Sequence, residues 1–218
     1  MGNQQQEGAR DVIRIIDKIV ARNESIIRVV ERAKKLAQHV PEGKREKRTV
    51  QFIIMHYSNL TAAGGGLSAV PGLIPFVGTV FSIFGASALD AIIALKYELE
   101  MTLALAHLAG FDIEDPRERK LAFLLVCASL EEAYEEEKEP SLYAIVDLAM
   151  GEFSTREMSK SLVKLVARVM TLMVSKKWTR YFPFVGIAIG ASVNKLMSTH
   201  TGYECWRALK HRQRANES

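Results

Sequence analysis

From Thr49 to Leu89 the chain carries no Asp, Glu, Lys or Arg, a run of forty-one residues in a protein that is 25% charged. Inside it lie Gly64, Gly65, Gly66, Pro71, Gly72, Pro75 and Gly78, which interrupt any continuous helix and argue against a simple transmembrane rod. The run divides instead into an approach of about a dozen residues, a Pro/Gly turn through 71 to 78, and a departing helix on which Gly78, Ser82 and Ala86 share a face. A twelve-residue helical arm reaches roughly 18 Å. That falls short of the roughly 30 Å hydrocarbon core of a bilayer. The expectation is a re-entrant or interfacial hairpin whose backbone is hydrogen-bonded within helix or covered by protein.

Around this run the period is helical. Val12, Ile15, Ile16 and Ile19, then Ile26, Val29, Val30, Ala33 and Leu36, recur at three-to-four spacing over residues 9 to 39, with Asn23 placed to bend or divide the helix. Pro41 and Gly43 close it, and the basic cluster Lys44, Arg45, Lys47 and Arg48 follows. The departing helix continues through Asp90, Lys96, Glu98 and Glu100 to about Leu108, where Gly110 ends it. Next, Asp115 is placed to cap a helix, Pro116 to occupy its first turn and Glu118 to close a capping box. After the glutamate-rich EEAYEEEKEP and a short piece SLYAIVDLAMG, Ser154 and Glu157 make a second box. It opens a helix from Thr155 to about Trp178 with Met158, Leu162, Leu165, Val166, Val169 and Met173 on one face. Lys160, Lys164 and Arg168 lie away from that stripe, as on a solvated or headgroup-facing side.

A second uncharged stretch, Tyr181 to Asn194, reads YFPFVGIAIGASVN and follows Lys176, Lys177 and Arg180. It repeats the tetrapeptide PFVG of Pro75 to Gly78 at Pro183 to Gly186. Two analogous insertions or packing elements are expected, although four shared residues do not establish a duplication. With no comparable strand alternation, the fold class is all-α: one multi-helix domain with two apolar, Pro/Gly-containing helical hairpins. The expected layout is a basic amphipathic region at 1–43, a helical domain at 44–206 and a basic tail at 207–218.

Charge is polarised by segment beneath a net +4. Residues 1 to 50 hold twelve bases and seven acids, 51 to 151 five and fourteen, and 152 to 218 twelve and four. Basic ends suit an anionic surface. The two cysteines, Cys127 and Cys205, form no CxxC and no zinc spacing, and no secretory or myristoylation signal is seen, so a cytoplasmic setting is expected.

The combination GGGLSAVPGLIPFVG, then GFDIEDPRERKLAFLL, then FPFVGIAIGASVN resembles the EcsC family of bacterial proteins over residues 45 to 210 or so. The more specific parts are the middle motif, an aromatic-Asp pair linked to Asp-Pro and Arg, and the late Val-Gly run ending in Asn. The resemblance implies membrane-linked work, in organisation, transport or secretion support, without a defined reaction. It supplies no catalytic residues. The first segment departs from the family in being more apolar, without a polar residue near its middle.

Each motif has a plain structural reading beside its functional one. Phe76, Phe81, Phe84, Phe182 and Phe184 are candidates to enter an acyl boundary, with the two basic clusters on anionic headgroups at about 1 kcal/mol per base. The competing reading buries both PFVG segments in a soluble core, with basic loops merely solvated. Gly186 and Gly190 have the GxxxG spacing of a lipid-embedded helix pair but serve tight soluble packing equally well. Asp112, Glu114 and Asp115 lack EF-hand spacing, and capping already explains Asp115. Glu131, Glu132, Glu135 and Glu136 have no Glu-x-x-His and are read as a solvated acidic face. Ser161 and Lys164 match S-x-x-K without its partner motifs. The five histidines fall in separate elements, and Gly64 to Gly66 lack the context of a phosphate loop.

No catalytic constellation, metal site or cofactor is therefore expected. The function expected is non-enzymatic: a peripheral or monotopic inner-membrane protein that binds anionic lipid and inserts apolar hairpins. A second copy of the chain or a membrane protein is the open question among partners. The alternative is a soluble helical carrier with a pocket for a lipid or other hydrophobic ligand. Nucleic acid is not expected, since the tail WRALKHRQR has no accompanying motif and cations are favoured at a helix C-terminus in any case.

Overall fold

A computed structural model describes residues 3–63, 74–85, 87–134, 155–174 and 190–217. Among these, eight helices and no strand are found: α1 (Asn3–Ile19), α2 (Asn23–Ala37), α3 (Glu42–Ala62), α4 (Ile74–Phe84), α5 (Ala88–Leu108), α6 (Pro116–Tyr134), α7 (Thr155–Val174) and α8 (Gly190–Glu217). The all-α class is as expected from the helical periodicity.

The centre of the fold is α5. It packs against all seven other helices, which accounts for a sequence apolar on every side rather than along one stripe. Its Ile92, Leu95, Met101, Leu103 and Leu105 are fully buried. Around it α3 lies between α2 and α8, α6 joins α7 and α8, and α1 bridges α4 and α7. One core takes side chains from all eight helices. The boundaries expected after residues 43 and 206 fall inside α3 and α8, and α1 and α2 contribute to that same core.

Local chemistry sets the breaks. Asn23 opens α2, so the expected 9–39 helix is divided there. The Glu100 carboxylate of α5 accepts the backbone N–H of Ala21 at 2.6 Å and pairs with Lys96 at 3.0 Å, fixing the α1–α2 turn to the centre. At the end of α5, Gly110 takes φ +91°, and the Phe111 N–H reaches back to the Ala106 carbonyl at 3.0 Å. Only a residue without a Cβ adopts this closure freely.

The expected Pro/Gly turn through 71 to 78 is corrected in part. Pro75 and Gly78 lie within α4, where a proline in the first turn leaves no helical hydrogen bond unmade. Pro71 lies outside the described residues. The expected departing helix, taken as continuous to Leu108, is instead broken at Gly85, which has φ +85°, and α4 and α5 meet at a bend of 105°. No single helix among the described residues is long and apolar enough to cross a membrane.

Two close approaches hold the packing. A Cβ on Gly202 of α8 would lie 2.9 Å from both Ile54 of α3 and Met101 of α5, and one on Gly8 of α1 would lie 2.7 Å from the Phe84 ring of α4. Gly78, by contrast, has no neighbour within 4 Å of its would-be Cβ among the described residues.

Candidate functional site: a basic groove between α2 and α3

The basic cluster of the sequence is helical, not a loop. Pro41 caps α3 with φ −49° and ψ 141°, and Lys44, Arg45, Lys47 and Arg48 occupy its first two turns, all exposed. The Arg45 Nε donates to the Val40 carbonyl at 3.1 Å, tying the cluster to the α2–α3 link. Helical spacing then carries one stripe from Arg45 and Arg48 through Phe52, Met55 and His56 to Asn59. Opposite it, α2 presents Arg28 and Arg32 beside Val29, Ala33 and Leu36.

Between these α2 residues and Phe52, Met55, His56 and Asn59 of α3 runs an open groove of about 620 Å³, with Arg48 one turn before Phe52 on the same helix. Its most exposed apolar side chains are Leu36 and Met55, 52% and 49% exposed, among the few large hydrophobic residues that face solvent. The Arg48 guanidinium lies 4.7 Å over the Phe52 ring and donates to Gln51 at 3.0 Å. The Arg28 side chain bonds the Ser25 hydroxyl at 3.0 Å. His56 has its pKa lowered, first by burial and then by Arg32, with Glu100 opposing. An apolar floor with a cationic rim can take up an anionic head and the first carbons beneath it.

The other expected contact residues divide three ways. Phe84 is 7% exposed against α1, so it is core rather than lipid-facing. Phe81 is half-buried, and Phe76 is described only by its place in α4. Lys176, Lys177, Arg180, Phe182, Pro183, Phe184 and Gly186 lie outside the described residues, and Gly190 is the first residue of α8. The structure does not bring α4 to the basic cluster: α4 packs on α1, α5 and α7, whereas α3 packs on α2, α5 and α8.

Capping and ion-pair expectations are also sorted. The Asp115 carboxylate accepts the Arg117 N–H at 2.8 Å with Pro116 opening α6, as expected. Glu118 does not close a box: both its oxygens accept from Arg212 of α8 at 2.5 Å, and that guanidinium also lies 4.2 Å over Phe111. Arg168, its side chain 42% exposed, pairs at 2.6 Å with Glu131, which is buried rather than solvated. Glu132 is exposed, while Glu135, Glu136 and Ser154 lie outside the described residues.

Sequence reasoning missed two polar features. Glu98 of α5 is 2% exposed, and its carboxyl is pushed up to about 7 by burial, with the nearby Ser198 hydroxyl of α8 opposing. Cys127 and Cys205 are both fully buried, which pushes their thiols up, Cys205 to about 12. Neither is a nucleophile in that state. Among the described residues no group of three or more His, Cys, Asp or Glu is placed to hold a metal. Comparison with known proteins returns no matching family model, no matching curated protein and no matching solved structure.

Proposed function

We propose that this chain is a non-enzymatic, EcsC-type protein of the cytoplasmic membrane face that binds anionic lipid through the α2–α3 groove. The observation that carries the reading is that uncovered Leu36 and Met55 line one groove with Arg28 and Arg32, and that the exposed Lys44–Arg48 cluster opens the same helix α3. Bases alone would be an ordinary solvated helix start, and isolated apolar side chains are common on surfaces. Together they match the two requirements of interfacial binding, headgroup attraction and shallow apolar insertion. The family resemblance of the three sequence motifs points the same way.

Flotation with vesicles of phosphatidylglycerol and phosphatidylcholine, against phosphatidylcholine alone, tests it. The protein should rise with the anionic vesicles at low salt. Replacing Lys44, Lys47 and Arg48 by Gln should weaken binding roughly a hundredfold, at about 1 kcal/mol per base. Leu36→Ser with Met55→Ser should leave binding that salt removes completely. Equal flotation with both vesicle types, or no effect of either variant, overturns the proposal.

A further inference from the structure

A second groove lies away from the first, between α1, α6 and α7 with α5 at its base. It is an open cleft of about 540 Å³, within the size range of small-molecule clefts. Its floor is Ile13, Leu99, Phe123, Leu162 and Val163, of which Leu99, Phe123 and Leu162 are core residues. Arg10 and Arg14 of α1 stand on one side, Arg119 and Lys120 of α6 on the other, with Asp17 the one acid that lines it. Two of these bases are already engaged: Arg14 pairs with Asp11 at 2.9 Å, and Arg119 bonds the Asn23 carboxamide oxygen at 2.7 Å. Among the described residues, Arg10 and Lys120 make no hydrogen bond or ion pair. Asp17 nevertheless feels the charge of Arg119 and Lys120, which oppose the upward push of burial on its carboxyl.

We infer that this groove binds one molecule of a single-chain anionic amphiphile, an acyl chain ending in a carboxylate or phosphate. Charge complementarity chooses the head, since with Arg14 offset by Asp11 the remaining Arg10, Arg119 and Lys120 against Asp17 still favour an anion over a neutral or cationic group. The floor chooses the tail. Apart from the charged rim, Ser159 is the only polar lining side chain among the described residues, so a peptide laid here would leave amide groups unpaired, at a cost an acyl chain does not incur. The site shares no lining residue with the α2–α3 groove and does not depend on it.

The probe is dansyl-undecanoic acid below its micellar concentration, followed by fluorescence titration of the full chain. Binding should saturate at one probe per chain. Arg10→Gln with Lys120→Gln should weaken it roughly tenfold. Asp17→Asn should tighten it, a gain that a merely structural role for the residue would not produce. The neutral amide of the probe should bind less well than the acid. The Lys44, Lys47 and Arg48 replacements and the Leu36, Met55 pair should leave the titration unchanged, so that failure of the membrane reading and failure of this site are separate results. Thermal melts establish that each variant is folded. No saturable binding, acid and amide binding alike, or loss only in the α2–α3 variants overturns the inference.

Discussion

Glu98 is a carboxyl held where its charged form is poorly tolerated, and that has a signed consequence for stability. Its ordinary value is 4.5 and burial raises it to about 7. Between those values the unfolded chain has lost the proton while the folded chain keeps it, so folding takes up a proton. The penalty is full above pH 7, shrinks as pH falls toward 4.5 and is absent below, with an order of magnitude of about 3 kcal/mol. Glu98→Gln keeps the shape but cannot ionise. Its melting temperature should exceed that of the parent at pH 8 and converge with it near pH 5, and an equal difference at both values would remove the carboxyl as the cause. The sequence displays Glu98 and Glu100 as ordinary charges in a helix. Two residues apart they cannot share a face, so in an amphipathic helix at least one should reach water. Both are buried because α5 is covered all round, a property of its neighbours and not of its own period. The groove residues were partly legible: the Lys44–Arg48 cluster stands out in the sequence, but Leu36 and Met55 look like core positions until α2 and α3 are placed together.

At the scale of elements, periodicity located the helices well where one face is buried, as in α1, α2 and α7, and placed breaks poorly inside the uncharged run. Gly78 and Gly85 are indistinguishable in sequence, yet only Gly85 takes a positive φ and ends a helix. Nothing near either signals which, because the difference comes from α4 turning to lay Phe84 on Gly8 of α1. Three glycines therefore respond differently to one added methyl group. Gly202→Ala should destabilise by about 1–3 kcal/mol, since α8 cannot move away from Ile54 and Met101 without opening the core. Gly8→Ala should also destabilise, by less if the Phe84 ring turns aside. Gly78→Ala meets open space in a helix interior and should stabilise by about 0.5–1 kcal/mol. Urea unfolding of the three variants checks the order, and a destabilising Gly78→Ala would place that face of α4 against something.

Across the whole molecule, the segmental charge pattern becomes partly internal. The acidic middle reaches the basic C-terminal part, where Glu131 meets Arg168 and Glu118 meets Arg212, while Glu100 holds the α1–α2 turn through the Ala21 backbone N–H. The sequence shows the polarity but not which charges cancel, because each partner is dozens of residues away. Lys44, Arg45, Lys47 and Arg48 stay exposed at the start of α3, while Arg168 and Arg212 are taken up by acids of the middle segment, so the anionic attraction is smaller than the basic ends imply. The C-terminal segment changes most in this view. Its Ala208 and Leu209 are core, Lys210 pairs with Glu46 at 3.0 Å, and Arg212 and Glu118 are each only 13% exposed. A pair so covered is costly to break by halves and cheap to remove whole. Arg212→Met alone should destabilise by about 3 kcal/mol, because it leaves the Glu118 carboxylate uncompensated between α6 and α8. Glu118→Leu alone should cost a similar amount by stranding the guanidinium, whereas both together should cost clearly less than the sum. Arg214→Gln, on the exposed side of the same helix, should change nothing measurable. A coupling near zero in this cycle would mean that the C-terminal turns of α8 are held by Ala208 and Leu209 alone, with the ion pair incidental to the fold.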